Sequence, residues 1–159
     1  MSSWSSKALP WLIPTLLLTS PPGGRAVLVS PWAEDVLLRV YRWEGVRAGR
    51  LEGEVPLSRA LRWLAEERGM RFLLILRERD ARSETLARAA GEILTLREVP
   101  DLHAKAIITD RLVLRTSANL LARSLTQNVE WMHLASNPRG DALAFLREEL
   151  GRFGIRLAP

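Results

Sequence analysis

The sequence predicts an α/β fold in which a mixed β-sheet is sandwiched between helices. Short apolar runs of the kind that form buried strands alternate with segments whose apolar residues recur at helical spacing. Around the middle of the C-terminal half, two or three apolar runs follow one another, which implies a mixed rather than a purely parallel sheet. At 159 residues the chain is long enough to bury a core, and we expect a single domain over 1–159.

The first apolar run, residues 8–19, predicts a buried N-terminal helix, and the Pro/Gly turn up to residue 24 would lead into the first strand. A membrane span needs about 18 or more apolar residues, and this run is shorter and contains Pro10 and Pro14. A secretion signal is the alternative, although Lys7 is the only preceding basic residue and no small-x-small cleavage site follows. We expect a cytoplasmic protein without stable membrane association, with export as the alternative.

The remaining elements follow from continuous apolar runs for strands and from apolar stripes for helices. Ser58 is a candidate N-cap of the first of these helices and Gly69 ends it. The polar, glycine-rich segment 44–56 is predicted to be a loop. The predicted strands are 26–30, 36–41 (a strand or a helical turn), 72–76, 93–99, 102–109, 112–115 and 129–135. The predicted helices are 58–68, 83–90, 120–126 and a last one capped by Asp141.

One stretch carries an unusual pair of side chains. His103 and Lys105 are two residues apart in a run that reads as a strand, so they would point to the same side of the sheet. An imidazole beside an ammonium combines a nucleophile or general acid with an anion-binding group. This pairing is suited to attack on phosphorus.

The next two runs add polar residues at compatible positions. Ser117 and Asn119 are again two apart, so both can face the place that the histidine and lysine face. The Asn119 amide can donate to a phosphate oxygen, and Glu130 can accept the second N–H of an imidazole. His133 is odd in strand parity relative to Glu130, so we expect it to face away from this group.

The pattern His103-x-Lys105-x4-Asp110, followed by Ser117-x-Asn119 and Glu130, resembles the HKD motif of the phospholipase D superfamily. The phrases Ser-Ala-Asn-Leu and Gln-Asn-Val-Glu strengthen the resemblance, which covers roughly the last 60 residues. Thr116 stands where family members usually have glycine, and the segment before it is about one residue short. The resemblance implies an α/β/α sandwich and a single phospholipase D-like domain.

The resemblance also implies roles. Neutral His103 would attack phosphorus and form a phosphohistidine, a second, protonated histidine would release the leaving oxygen, and water would then free the phosphate. Lys105 and Asn119 would hold the phosphoryl oxygens, and Glu130 would fix the tautomer of the nucleophile. Ser117 and Asp110 complete the candidate catalytic set, with Asp110 ending a strand in a supporting role.

Three residues upstream are candidates for substrate binding, together with Lys105 and Asn119. Ser30 and Trp32 lie in a Ser-Pro-Trp step after the first strand, and the step resembles one near the active site in the superfamily. Arg77 follows a predicted strand at the end where open α/β sheets expose their sites. A buried aromatic and a solvated charged loop are the structural alternatives for Trp32 and Arg77.

Charge and composition narrow the function. The net charge of +5 and the pI near 10.8 favour a polyanionic partner. No cysteine is present and one histidine is usable, so we expect no metal site and no cofactor. The sequence predicts a metal-independent phosphodiesterase, most simply an endonuclease acting on DNA or RNA. The alternatives are a phospholipase D-type lipid hydrolase, a catalytically weakened nucleic-acid-binding or adaptor homodimer, and a structural homodimer within a larger complex. Because the chain has one motif histidine, we expect a homodimer with a shared active site.

Overall fold

The computed structural model describes residues 6–40 and 51–157, and the elements below are numbered along them. The strands are β1 (Arg25–Val29), β2 (Leu37–Val40), β3 (Gly53–Pro56), β4 (Arg71–Leu76), β5 (Leu94–Glu98), β6 (Ala106–Thr109), β7 (Leu112–Thr116) and β8 (Met132–Ser136). The α-helices are α1 (Leu9–Leu18), α2 (Leu57–Arg68), α3 (Ala81–Ala90), α4 (Ala122–Thr126) and α5 (Ala142–Arg152). Short 3-10 turns precede α1 and follow α3.

Six strands form one mixed sheet in the order β5-β4-β1-β6-β7-β8, while β2 and β3 form a separate antiparallel hairpin. Strands β1, β4 and β5 are parallel, and β6, β7 and β8 are each antiparallel to the strand before them in the order. The predicted fold class, a mixed sheet covered by helices on both faces, is confirmed.

The core lies on both faces of this sheet. Along β1, Ala26 and Leu28 join the core shared with α1, α2 and α3, whereas Val27 and Val29 join the core shared with α5. This alternation is what a strand covered on both faces requires. The sheet is therefore the middle layer of an α/β/α sandwich.

Two local predictions need correction, and the structure decides between two alternatives that the sequence left open. Ser58 does not cap α2: Pro56 occupies that position, and Ser58 lies in the first turn, where its N–H and its hydroxyl both donate to the Asp35 carboxylate (2.7 and 2.6 Å). The end of the predicted 44–56 loop is strand β3, because it pairs with β2. The rest of that segment up to residue 50, and Tyr41, lie outside the described residues. The apolar run 36–41 is a strand rather than a helical turn over Leu37–Val40.

The motif strand is shorter than predicted. Pairing begins at Ala106, so residues 102–105 precede β6 rather than forming its first half. Topology explains the difference, since β5 and β6 are separated in the sheet by β4 and β1. Residues 99–105 must cross the ends of those strands, a distance of roughly 14 Å at three inter-strand spacings. We call residues 99–105 the crossing segment. It carries the two candidate residues that the strand was expected to carry.

Among the described helices, none is long and apolar enough to cross a membrane. The N-terminal apolar run forms the ten-residue helix α1, whose Leu9, Ile13, Leu16 and Leu17 are buried in the core.

Candidate active site

All but one of the candidate residues lie where several neighbouring strands begin or end, and we call this side of the sheet one edge. Strands β1 and β4 end there, β6 begins there, β7 ends there and β8 begins there, as the pairing directions require. The residues that follow or precede these strand ends are Ser30, Trp32, Arg77, His103, Lys105, Ser117, Asn119 and Glu130. Side chains that are distant in the sequence are thus brought to one edge by the topology alone.

The crossing segment presents an imidazole and an ammonium at this edge. His103 is exposed and Lys105 is half-buried. The Lys105 Nζ donates to the backbone oxygen of His103 (2.9 Å), and the Lys105 backbone oxygen accepts from the N–H of Thr116 (3.1 Å). These two contacts fix the lysine between the histidine and the end of β7. Its ammonium retains further donors for an anion.

Arg77, directly after β4, contacts the same segment from the other side. Its Nε and Nη2 donate to the backbone oxygen of Leu102 (3.0 and 2.7 Å), and Nη2 lies 2.9 Å from Nδ1 of His103. Its guanidinium carbon lies 4.7 Å from the centre of the Trp32 ring. Three cationic or ionisable groups, Arg77, His103 and Lys105, therefore lie together.

The end of β7 is organised by Thr116, the residue that departs from the family pattern. Its Oγ1 donates to the backbone oxygen of Trp131 (2.9 Å) and accepts from the N–H of Ala118 (3.1 Å). The side chain that replaces glycine here is thus used in two hydrogen bonds that join β7 to the chain before β8. It does not obstruct the turn that follows.

Glu130 is bonded to Ser117 and not to His103. The Ser117 hydroxyl donates to Oε2 of Glu130 and accepts from the N–H of Trp131 (3.0 Å), and Asn128 Nδ2 donates to Oε1 (3.2 Å). Glu130 is only 9% exposed, so both carboxylate oxygens are satisfied in a nearly dry position. The residue also precedes β8, which starts at Met132, so the predicted strand 129–135 begins later than expected.

Ser30 lies in the protein interior behind the site, and its side chain does not reach the surface of the site. It is fully buried; its hydroxyl donates to the oxygen of Trp32 (2.6 Å) and accepts from the N–H of Leu120 (3.0 Å). The oxygen of Leu120 in turn accepts from the N–H of Glu34 (2.9 Å). The prediction that Ser30 binds substrate is therefore corrected: it attaches the Asn119 turn to the end of β1.

Asn119 is held in this turn with one polar atom unused. Its Oδ1 is buried and accepts no hydrogen bond from any residue in the described ranges. Most buried polar atoms in folded proteins have a partner, and a catalytic role is one of the explanations for an unpaired one. The unpaired atom is an acceptor, so it can take a hydrogen bond only from a donor, whereas a phosphoryl oxygen would have to bind the Nδ2 donors of the same amide.

Asp110 lies at the opposite edge of the sheet. Its carboxylate accepts from the N–H of Arg25 at the start of β1 (3.1 Å) and from the N–H of Ala142 at the start of α5 (2.8 Å). Five extended residues separate it from Lys105, roughly 16 Å at 3.3 Å per residue. Asp110 consequently holds a strand and a helix together, and its place in the candidate catalytic set is corrected.

Two supporting residues were missed in the sequence. Asn128 donates to Glu130, and the signal for it was its place in the phrase Gln-Asn-Val-Glu. Glu34 accepts from the N–H of Ala122 at the start of α4 through its carboxylate. No local pattern marks Glu34, because its partner is 88 residues away in the chain.

The surface beside Glu130 is apolar. Val129 is 97% exposed and Trp131 is 52% exposed.

His133 lies within β8 opposite Arg115, and directly opposed residues of antiparallel strands share a face.

Within residues 6–40 and 51–157, no group of three or more His, Cys, Asp or Glu side chains is placed to hold a metal ion.

No protein-family model and no curated protein matches this sequence. Solved structures do match. Nuc from Salmonella typhimurium, a phospholipase D family member, shares 17% identity and a TM-score of 0.60, covering 91% of this chain and 86% of that one. NucT from Helicobacter pylori shares 11% identity and a TM-score of 0.59, covering 94% and 88%. TrmBL2, an archaeal chromatin protein whose structure shows a mode of DNA binding, shares 15% identity and a TM-score of 0.50. The match covers 50% of the TrmBL2 chain. The chain therefore shares its fold with Nuc, a phospholipase D family member, and with NucT.

Proposed function

We propose that this protein is a metal-independent phosphodiesterase that cleaves nucleic acid internally through a phosphohistidine on His103. One observation carries the proposal: His103, Lys105, Asn119 and Glu130 lie at one edge of a sheet with the phospholipase D fold. An imidazole nucleophile, an ammonium and an amide are the groups that a phosphoryl transfer without a metal needs.

In the proposed reaction, an in-plane lone pair of the His103 ring attacks phosphorus, and the bond to the leaving oxygen breaks. A second histidine gives that oxygen its proton, and water then cleaves the P–N bond. Lys105 and Asn119 stabilise the charge that builds on the phosphoryl oxygens. Glu130 acts through Ser117, whose hydroxyl it holds, and the pair fixes the turn that carries Asn119.

Nucleic acid is the proposed substrate because the chain carries a net charge of +5. When a basic protein binds a nucleic acid, counterions are released from the nucleic acid, and this release favours binding. Binding should therefore weaken steeply as the salt concentration rises. TrmBL2, whose structure shows DNA binding, lends support from a protein with a similar fold.

The second histidine is proposed to come from a second copy of the chain. The only other histidine, His133, lies in β8 on the Arg115 face rather than in the crossing segment. A two-fold interface is self-complementary, so it can bring His103 of one copy to face His103 of the other. The exposed Val129 and Trp131 beside Glu130 provide apolar area for such an interface.

A second candidate function is binding of nucleic acid without cleavage. It is favoured by one observation: the Glu130 carboxylate is bonded to Ser117 and Asn128, and the His103 ring contacts Arg77 instead of an acidic group.

The two candidates are separated by one assay. Purified protein is incubated in excess EDTA with supercoiled plasmid, circular single-stranded DNA, labelled RNA and phospholipid vesicles, beside the His103→Ala variant. The proposal predicts cleavage of a circular nucleic acid by the wild type alone. Salt-sensitive binding without cleavage supports the second candidate, and vesicle hydrolysis without nuclease activity contradicts both.

A further inference from the structure

The position of Arg77 over the His103 ring gives that arginine a distinct function. Its Nη2 lies 2.9 Å from Nδ1 and 3.4 Å from Nε2 of the same ring. A donor on the in-plane lone pair of one ring nitrogen would lie about 5 Å from the other. The two short distances are compatible only with a guanidinium nitrogen over the flat face of the imidazole. Arg77 therefore does not occupy the in-plane hydrogen-bonding position of either His103 ring nitrogen.

The same guanidinium is fixed by two further contacts. Its Nε and Nη2 donate to the backbone oxygen of Leu102, the residue before the histidine, and its carbon lies 4.7 Å from the centre of the Trp32 ring. Arginine is suited to this combination because its planar group stacks on rings and donates along its edge at the same time. Both the backbone before His103 and the face of its ring are thus held by one side chain.

This support matters because the crossing segment has no strand pairing before Ala106. Asp101 adopts a positive φ of 61°, and the Leu102 N–H donates to the oxygen of Val99 (3.2 Å), so the chain turns just before the histidine. An exposed side chain on an unpaired segment would otherwise sample several rotamers.

Building on the proposed function, we propose that Arg77 is the positioning residue for His103. It orients the imidazole through its face and through the Leu102 carbonyl, and it leaves the in-plane lone pair free for attack on phosphorus. The Trp32 ring also contacts the Arg77 guanidinium and so helps to hold it in place. Arg77 acts on the rate of the chemical step through the geometry of the histidine, while Lys105 and Asn119 bind the phosphate.

The test compares steady-state kinetics of Arg77→Ala, Arg77→Lys and Trp32→Leu with Arg79→Ala, which removes the same charge from the same loop. Arg79 pairs with Glu84 and Glu98 and does not contact His103. A misplaced reacting group costs on the order of 100-fold. We expect kcat of Arg77→Ala to fall by about that factor with KM changed less than about twofold. Arg77→Lys should recover little, because lysine lacks the planar fork. A rise in KM at unchanged kcat, or wild-type kinetics, would overturn the proposal.

A second measurement does not depend on activity. The chain has two histidines, so the aromatic NMR signals of His103 can be followed with His133 as the internal reference. We expect the His103 ring signals to move to the values of a free histidine in Arg77→Ala, with His133 unchanged. His103 signals identical to those of the wild type would contradict the positioning role. If the wild type shows no phosphodiesterase activity, the proposed function fails and this measurement alone decides the role of Arg77.

Discussion

The Ser117 hydroxyl donates a hydrogen bond to the Glu130 carboxylate across 13 residues of sequence. This bond joins the end of β7 to the chain before β8, next to the Asn119 turn. Because Glu130 is nearly buried, its carboxylate oxygens depend on the Ser117 hydroxyl and the Asn128 amide for hydrogen bonds. The pair is therefore a structural support of the candidate site as well as part of its motif.

Removing the Glu130 carboxylate should destabilise the protein. Glu130→Ala leaves the half-buried Ser117 hydroxyl without its acceptor, which costs about 1–3 kcal/mol for a group left unpaired away from water, whereas the exposed Asn128 amide can bond to water instead. Urea unfolding measures the loss. Glu67→Ala, at an exposed position on α2, is the control and should change stability by less than about 0.5 kcal/mol. Equal unfolding midpoints for the wild type and Glu130→Ala would show that the pair contributes nothing to stability.

Asp110→Ala should lower stability and spare the chemistry. The substitution removes the acceptor of the Arg25 and Ala142 N–H groups, so we expect a loss of about 1–3 kcal/mol in the free energy of unfolding. Activity per folded molecule should stay at the wild-type level, because the residue lies at the opposite edge of the sheet. Lost activity in a variant with unchanged stability would return Asp110 to the catalytic set.

The N-cap of α3 gives a pH-dependent prediction. Burial by itself raises the pKa of Asp80, but hydrogen bonds from Ser83 and from Arg82, together with the Arg82 charge, outweigh it and hold the pKa below its ordinary value. A depressed carboxyl pKa stabilises the folded protein above the unfolded-state pKa, and this stability is lost as the pH falls through the folded-state pKa. Asp80→Ala should therefore cost about 1 kcal/mol at neutral pH, and the difference should shrink below about pH 4.

Asp80→Asn is the matched control for that titration. Asparagine also caps helices but carries no titratable proton. Its stability relative to Asp80→Ala should not show the acid-dependent loss that the wild type shows. A wild-type advantage over Asp80→Ala that persists unchanged at strongly acidic pH would contradict the assigned pKa direction.

The fold was predictable from the sequence because continuous apolar runs, such as those of β1 and β4, are typical of strands that are buried on both faces of a sheet. The convergence of the motif residues at one edge was predictable from their resemblance to a known family. The shortened β6 was not, since it follows from the strand order, which places β5 and β6 apart. The role of Ser30 and the partners of Asp110 were also hidden, because those partners are distant backbone groups.

Subunit mixing tests the shared site. If each reaction needs His103 from two chains, heterodimers of wild-type and His103→Ala chains should have less than half of the wild-type activity per dimer. Light scattering at assay concentration measures the mass. A monomer that cleaves at the full rate would contradict the dimer.

The covalent intermediate on His103 tests the central claim most directly. Wild-type protein is mixed with its nucleic-acid substrate in excess EDTA, quenched at alkaline pH to preserve the acid-labile P–N bond, and digested for mass spectrometry. We expect a nucleotide or phosphate adduct on the peptide that carries His103, absent from His103→Ala and from protein without substrate. Turnover of substrate without any adduct, at a rate that His103→Ala shares, would contradict the proposed mechanism.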